Sequence, residues 1–301
     1  MRFGGHQTFY VREGWLSKGL KMLLEDPDRF DDPYVADYLG VGRNMAKSIE
    51  HWLQATGLAE NHGRRRAGSL PRLTATRLGE TIWECDPYLT HSATWWFLHI
   101  NLVCSPEHAT TWNWFFNDYP SNRFDRSALY VSLARQERAR SRKSPAQKTL
   151  ERDISCFLGS YATDVPYRKK DPEEEIDCPF QDLCILRHYR ASGYYEVNRR
   201  KKAVDPEVVL YALNSISLDV SGDRTDVGFH DLTRAINGPL QTLSLSSESL
   251  FEHLIELEQS SDRERVTISG LASDRQIRFP VFDRADLARL HYDRNQEPSY
   301  A

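Results

Sequence analysis

Four side chains between residues 6 and 153 could carry out acid–base or metal-assisted chemistry: His6, Asp86, His99 and Asp153. An imidazole can exchange a proton near neutral pH, and a carboxylate can exchange a proton or hold a divalent cation. Asp86 and Asp153 are therefore also the candidate metal ligands. Arg12 stays charged at physiological pH, so it is a candidate to bind phosphate rather than to transfer protons.

Each of these residues also has a structural interpretation. Asp86 precedes a proline, where helices commonly end, and His99 lies in an aromatic run that is typical of a buried helix. Asp153 stands next to Arg152, which is compatible with a surface ion pair. His6 is able to hydrogen-bond a neighbouring helix. The residue types by themselves leave the catalytic and structural interpretations open.

The elements that must position these residues begin with two amphipathic helices between residues 33 and 60. Apolar residues recur there at intervals of three and four, and Gly-Val-Gly at 40–42 separates the two periodic stretches. Gly40 can adopt the positive φ that ends a helix, which completes a helix-turn-helix pattern. The second helix carries hydrogen-bonding side chains that are candidates to contact DNA, namely Arg43, Asn44, Lys47, Ser48 and His51.

The following segment, residues 57–83, predicts a strand, a tip bounded by glycines, a returning strand and another helix. Arg64, Arg65 and Arg66 occupy the tip and are further candidate DNA contacts. We therefore predict a winged helix-turn-helix domain, with a preceding N-terminal strap, over residues 1–85. Winged helices also serve as protein–protein modules, but three arginines at the tip favour nucleic acid.

The strap itself contains His6, Thr8, Tyr10 and Arg12 within the stretch GHQTFYVREGW. If this stretch alternates like a strand, these four side chains lie on one face. Such a face, placed beside a DNA-reading domain, predicts a surface that binds phosphate.

The remaining sequence predicts a helical domain at 86–165 and an α+β domain at 176–301, separated by a charged, proline-containing stretch at 162–179. The first of these is rich in tryptophan and phenylalanine. The second predicts two short strands at 183–190 and 193–199, a helix at 205–217 with Pro206 in its first turn, a further helix at 246–259 and a hairpin at 265–279. The fold class is therefore mainly α with small β elements (α+β).

The charge balance excludes a uniformly basic surface, because 39 Lys and Arg face 43 Asp and Glu. Positive charge is nevertheless concentrated at residues 123–152, where nine Lys or Arg stand against three Asp or Glu, and Arg152 is a candidate phosphate contact. The five cysteines show no CxxC spacing, and we find neither an apolar leader nor a run long enough to cross a bilayer. These features predict a cytoplasmic protein without a membrane role.

Several stretches resemble, in order, the successive blocks of the SspB-type family, domains of unknown function encoded in bacterial DNA phosphorothioation clusters. The matching stretches are FGGHQTFYVREGWLSKG, LGVGRNMAKSIEHWLQATGL, DPYLTHSATWWFLHINL, FFNDY and LERDISCFLGSYA. The likeness runs from residue 3 to about 162 and is weaker beyond. The resemblance implies a component of an anti-phage defence system that takes part in replacing a non-bridging phosphate oxygen of double-stranded DNA by sulfur. In such a system this component would cut or handle one strand. A cysteine desulfurase and ATP-using partners would then supply activated sulfur.

Nicking requires an activated nucleophile, stabilisation of the developing phosphorane charge and a proton for the leaving oxygen. Mg²⁺ or Mn²⁺ held by carboxylates commonly supplies the first two, and Glu84 and His91 are additional candidates in the matching blocks. The sequence shows no PD-(D/E)xK, HNH or HxK motif. Two alternatives therefore remain: a non-enzymatic adaptor that recruits the sulfur-transfer enzymes to DNA, and a transcriptional regulator.

Overall fold

The structure is a computed structural model that describes residues 2–64, 71–140, 145–166, 178–216, 224–260, 266–271 and 274–296. The chain forms two compact units, Met1–Asn198 and Arg199–Ala301. The described residues are mostly helical, with small sheets, which confirms the predicted fold class. Within the described ranges, no helix combines the length and the apolar character needed to cross a membrane.

The elements of the first unit are numbered in chain order. Its helices are α1 (Trp15–Glu25), α2 (Val35–Leu39), α3 (Arg43–Ala55), α4 (Arg77–Cys85), α5 (Ser92–Val103), α6 (Thr110–Asp118), α7 (Arg126–Arg140) and α8 (Gln147–Tyr161). Its strands are β1 (Ala59–Arg64), β2 (Pro71–Ala75), β3 (Arg123–Phe124), β4 (Ala162–Val165), β5 (Leu186–Tyr189) and β6 (Tyr194–Val197). Two short 3-10 helices lie at Pro27–Asp31 and Pro179–Leu183.

The first helices follow the predicted pattern closely. Gly40 ends α2 with a φ of 66°, and α3 begins directly after Gly42. The apolar stripe of α3 is buried against α1, where Gly19 allows the close approach, since a Cβ there would lie 2.6 Å from Ile49 Cγ2. β1 and β2 then form an antiparallel hairpin, and Thr76 caps α4 by accepting a hydrogen bond from the Gly79 amide.

Aromatic rings fill the core of the middle helices, as the sequence predicts. The side chains of α5 are buried around most of its circumference, so this helix lies inside the unit. Rings of α6 and α8 pack against one another, with Trp112 and Phe157 centroids 5.6 Å apart and Phe115 and Phe157 centroids 4.5 Å apart. This core provides the rigid base on which the candidate site residues lie.

A four-stranded sheet of order β3-β6-β5-β4 completes the first unit. β4 runs parallel to β5, and the other neighbours are antiparallel. Residues 162–165 were predicted as part of a linker, and that prediction is wrong because they continue from α8 and pair with β5. The same pairing places residues 178–198 in the first unit, although the predicted third domain began at 176.

The second unit is built from five helices and one three-stranded sheet within its described residues. The helices are α9 (Pro206–Leu213), α10 (Phe229–Arg234), α11 (Pro239–Thr242), α12 (Ser247–Gln259) and α13 (Arg284–Gln296). The strands are β7 (Arg224–Gly228), β8 (Thr267–Ser269) and β9 (Gln276–Pro280), in the order β7-β9-β8. The predicted helices at α9 and α12 and the predicted hairpin of β8 and β9 are thus present.

The N-terminal strap, residues 2–14, does not form a strand. Gly4, Gln7 and Thr8 all have positive φ values, of 71°, 50° and 73°. Backbone hydrogen bonds from the Gln7 amide to the Gly4 carbonyl and from the Phe9 amide to the His6 carbonyl close successive tight turns. The predicted alternation of side chains is therefore absent, and His6 points inward while Thr8 is exposed.

Candidate functional site

The structure brings His6 and Asp153 together in a buried network that holds the strap against α6 and α8. His6 Nε2 lies 2.8 Å from Asp153 Oδ1, and both side chains are buried. The same carboxylate accepts hydrogen bonds from the Gly4 amide at 2.6 Å and from the Thr111 hydroxyl at 2.7 Å. Asp153 therefore joins three segments of the chain.

The hydrogen bonds of His6 also indicate which of its ring nitrogens carries a proton. The Thr8 amide donates to His6 Nδ1 at 3.1 Å, so Nδ1 carries a lone pair and the ring proton is on Nε2, facing Asp153. The ring stacks on Trp52 with centroids 6.0 Å apart. Both ring nitrogens are thus occupied within the protein, and this arrangement anchors the strap.

Two of the predicted DNA contacts on α3 are covered by the strap. Ser48 and His51 are buried, with Ser48 Oγ donating to the Phe9 carbonyl and the His51 ring packed beneath Gly5. Burial lowers the pKa of His51 well below its ordinary value, and the positive charge of Arg2 lowers it further. His51 Nδ1 has no hydrogen-bond partner among the described residues.

Asp86 lies at the junction between α4 and α5. Its buried carboxylate accepts hydrogen bonds from the amides of Thr90 and His91 and from the hydroxyls of Thr90 and Thr94, at 2.7 to 3.1 Å. These donors include groups at the start of α5, where the helix leaves backbone amides unpaired. Asp86 therefore fixes the path of the chain into α5.

The predicted metal ligands do not fit a shared divalent cation. Both oxygens of Asp86 and both oxygens of Asp153 accept hydrogen bonds from protein donors, and the two networks have no residue in common. Across the ranges that the structure describes, no group of three or more His, Cys, Asp and Glu could hold a metal ion. We therefore assign no metal to this pair.

His99 is a core residue of α5. It is fully buried, its Nδ1 lies 2.8 Å from the Tyr161 hydroxyl, and its ring contacts Phe116 edge to face. The two additional candidates lie elsewhere, since Glu84 is exposed on α4 and His91 is the half-buried residue that precedes α5. These positions do not form one catalytic cluster with His6.

The exposed part of α3 retains three of the predicted contacts, namely Arg43, Asn44 and Lys47. Beside them lies an open groove of about 600 Å³, which Arg12, Trp15, Gly40 and Met45 help to line. The Arg12 guanidinium stacks over the rings of Phe9 and Trp15, at 5.6 and 5.2 Å from their centroids. This stacking holds Arg12 next to the turn that precedes α3.

The structure describes only some of the other basic residues that were predicted to contact DNA. Arg65 and Arg66 lie outside the described residues, and Arg64 is described only as the last backbone position of β1. Arg152 is exposed on α8, and α7 carries further exposed arginines, including Arg138. The basic surface predicted at 123–152 is therefore present over the described part of these helices.

Sequence reasoning did not bring together His188, Asp164 and Arg190, which meet at one edge of the four-stranded sheet. His188 Nδ1 lies 2.9 Å from Asp164 Oδ1, and Arg190 Nη2 lies 2.7 Å from Asp164 Oδ2. Burial raises the pKa of Asp164, but hydrogen bonds from His188 and Arg190 outweigh this and leave the pKa below its ordinary value. A parallel pairing of β4 with β5 was the missing signal, because it sets Asp164 directly beside His188.

Two solved structures share this fold over nearly the whole chain. A magnesium ion-bound SspB crystal structure matches with a TM-score of 0.85 and 22% identity, covering 99% of this chain and 90% of that chain. A further SspB crystal structure matches with a TM-score of 0.84 and 20% identity, with the same coverage. At these identities the likeness shows the fold. No curated protein matches the sequence significantly.

The family assignment comes from the sequence as a whole. A model of the family described as "Protein of unknown function (DUF4007)" matches residues 3–289. This span includes most of both compact units and extends far beyond the blocks that carried the initial resemblance. Together with the SspB structures, it confirms that resemblance: the chain belongs to the DUF4007 family.

Proposed function

We propose that this protein is the DNA-binding component of a phosphorothioate modification and defence system, and that its first unit holds double-stranded DNA through a winged helix. The observation that carries the proposal is the exposed row of Arg43, Asn44 and Lys47 on α3, between the turn at Gly40 and the hairpin of β1 and β2. In winged helices, the helix after the turn enters the major groove and the hairpin contacts the backbone.

The chemistry of this surface supports the proposal. Arg43 and Lys47 are one helical turn apart, so both can face the same stretch of phosphate backbone. The residue that precedes α3, Gly42, has no side chain to cap the helix, so the first amides of α3 and the partial positive charge of this helix end can face an anion. The Arg12 guanidinium lies over the rings of Phe9 and Trp15 near the start of α3, so it is preoriented and can bind phosphate in bidentate fashion.

The SspB likeness supports the place of the protein in phosphorothioation. The family resemblance implies that such components nick one strand so that sulfur can enter the backbone, with a cysteine desulfurase and ATP-using proteins as partners. One of the similar SspB structures contains magnesium. We therefore extend the proposal to strand nicking and include Mg²⁺ and Mn²⁺ in the test.

The DNA-binding proposal is tested with the triple change Arg43→Ala, Asn44→Ala and Lys47→Ala, measured by fluorescence anisotropy on a duplex across a salt series. We expect roughly 10-fold weaker binding or more. The salt dependence should also become shallower, by about 0.9 for each phosphate that the variant no longer neutralises.

The matched control is Lys18→Ala with Lys21→Ala, which removes the same positive charge from exposed positions of α1. This control should bind DNA nearly as the wild type does. Equal losses in both variants would mean that only net charge matters, and unchanged binding by the triple variant would remove α3 from the interface.

A non-enzymatic adaptor remains a second candidate function. The observation that favours it is that both carboxylates predicted to be catalytic, Asp86 and Asp153, have their oxygens occupied by protein donors. An adaptor binds DNA without converting supercoiled plasmid to the open circular form under any divalent ion. Incubation of the full-length protein with plasmid, with and without Mg²⁺ or Mn²⁺, separates the two candidates.

A further inference from the structure

A row of side chains crosses one face of the four-stranded sheet and ends in a histidine–carboxylate pair. Strand register places Phe124 opposite Tyr195, Tyr195 opposite His188, and His188 beside Asp164. The rings stack in sequence, with Phe124 and Tyr195 centroids 5.8 Å apart and Tyr195 and His188 centroids 4.4 Å apart. The buried Phe124 end therefore supports a rigid His188 ring at the open end.

The hydrogen bond to Asp164 determines which nitrogen of His188 can accept a proton. An ionised carboxylate only accepts hydrogen bonds, so His188 Nδ1 carries the proton that faces Asp164 Oδ1. The Nε2 atom then has the lone pair, and it hydrogen-bonds no other residue in the described part of the chain. When a carboxylate orients an imidazole in this tautomer, the unprotonated nitrogen is ready to act as a general base.

The surroundings of this pair suit a phosphate. The His188 and Asp164 side chains are 24% and 17% exposed, so they are partly open to solvent. Arg190 pairs with Asp164 through one nitrogen while its side chain remains 57% exposed, which leaves donors for an anion. Burial raises the pKa of the Tyr195 hydroxyl, and the positive charge of Arg126, at the start of α7, offsets this rise only in part.

We propose that His188 is the general base for phosphodiester hydrolysis, with Asp164 as its positioning residue and Arg190 as a phosphate-binding residue. This inference rests on the proposed nicking function and supplies the base that His6, Asp86, His99 and Asp153 do not provide. The substrate class is a phosphodiester of the DNA backbone.

The step that this assigns is a hydrolysis. A water molecule attacks phosphorus and transfers one proton to His188 Nε2, so that its hydroxide oxygen forms the new P–O bond. The bond between phosphorus and the leaving sugar oxygen breaks, and that oxygen takes a proton from solvent water. Asp164 stays ionised and stabilises the imidazolium, while the exposed N–H groups of Arg190 face the charge that develops on the phosphate oxygens.

The test compares full-length wild type with His188→Ala on supercoiled plasmid, in the presence and absence of Mg²⁺ or Mn²⁺. We expect open circle to form roughly 100-fold more slowly with His188→Ala or worse, because general base catalysis contributes at least that factor. Duplex affinity and the urea unfolding midpoint should match the wild type. Added imidazole should restore nicking to His188→Ala, which a purely structural loss would not permit.

A second variant tests the positioning role. Asp164→Asn should lower kcat while leaving KM for plasmid unchanged, because it disturbs the tautomer of His188 and not the binding of DNA. The matched control is His230→Ala, which removes an exposed histidine of the second unit and should nick at the wild-type rate.

The outcomes separate this inference from the function on which it rests. If the wild type nicks and His188→Ala nicks equally fast, the base assignment is overturned and the nicking function stands. The assignment is also overturned if His188→Ala is slow and imidazole does not restore it. If the wild type binds DNA but never nicks with any of these ions, both the nicking function and the base assignment are overturned.

Discussion

The Asp153 carboxylate accepts buried hydrogen bonds from the His6 ring and the Thr111 hydroxyl and a partly buried one from the Gly4 amide. Asp153→Ala would leave these donors without an acceptor, and each buried unpaired donor costs about 1 to 3 kcal/mol. We expect the free energy of unfolding, measured in urea, to fall by about 3 kcal/mol or more.

Arg152→Ala is the matched control, because Arg152 is the exposed neighbour on the same helix. Its effect should stay within about 0.5 kcal/mol. A stable Asp153→Ala protein that has lost nicking would contradict the anchoring role and return Asp153 to the catalytic candidates.

The pKa of His51 gives a pH dependence of stability with a defined sign. Burial lowers this pKa well below the value of about 6.5 expected in the unfolded chain. Below pH 6.5 the unfolded chain binds a proton that the folded protein does not, so this contribution is full above pH 6.5 and is lost as pH falls. Between pH 7.5 and 5.5, wild type should lose about 1 kcal/mol more unfolding free energy than His51→Leu.

Urea unfolding of both proteins at several pH values measures this difference. The comparison between variants removes the contributions of other groups, such as His108, whose pKa burial also lowers. Parallel pH profiles for wild type and His51→Leu would show that His51 does not titrate differently in the two states.

At the scale of elements, the strap depends on the absence of a side chain at Gly5. A Cβ at this position would lie 2.5 Å from His51 Nδ1 and 2.7 Å from His51 Cε1, and the buried ring has little room to move. Gly5→Ala should therefore lift the strap from α3 and destabilise the protein by about 1 to 3 kcal/mol. Limited trypsin digestion should then cleave at Arg12 faster than in the wild type.

Gly42→Ala is the control for this change. Gly42 has an ordinary φ of −70°, and nothing lies within 4 Å of an added Cβ. The Gly42→Ala protein should lose no more than about 1 kcal/mol of its free energy of unfolding, as expected for a less favourable residue at the start of a helix. Equal trypsin sensitivity of both variants and wild type would mean that the strap does not depend on the close approach at Gly5.

The elements also show which structural features can be predicted from sequence alone. The periodicity of α3, the glycine that ends α2, and the proline at the start of α9 all act between neighbours in the chain, and the structure contains them as predicted. The strap was different, because its turns at Gln7 and Thr8 use positive φ at residues that usually avoid it. β4 was missed because its partner strand comes more than twenty residues later.

At the scale of the whole molecule, the net charge does not show that positively charged side chains are concentrated on particular helices. The net charge is −4, yet the described surfaces of α3, α7 and α8 carry exposed arginines and lysines. DNA binding depends on the local field, since salt screens charges beyond roughly 10 Å. A near-neutral protein can therefore bind a polyanion through these helices.

The sequence by itself determined the fold class, the family and the helix-turn-helix pattern, because these follow from composition, periodicity and the order of local blocks. Only the tertiary structure decided what the polar residues do. His6 meets Asp153 across 147 positions and His188 meets Asp164 across 24, and no local pattern records such pairs. The role of an ionisable side chain depends on burial and on the partners that folding brings to it. For that reason the side chains of His6, Asp86 and Asp153 lie in buried hydrogen-bond networks that anchor the chain. His188 and Asp164 form the pair that we propose as the general base and its positioning residue.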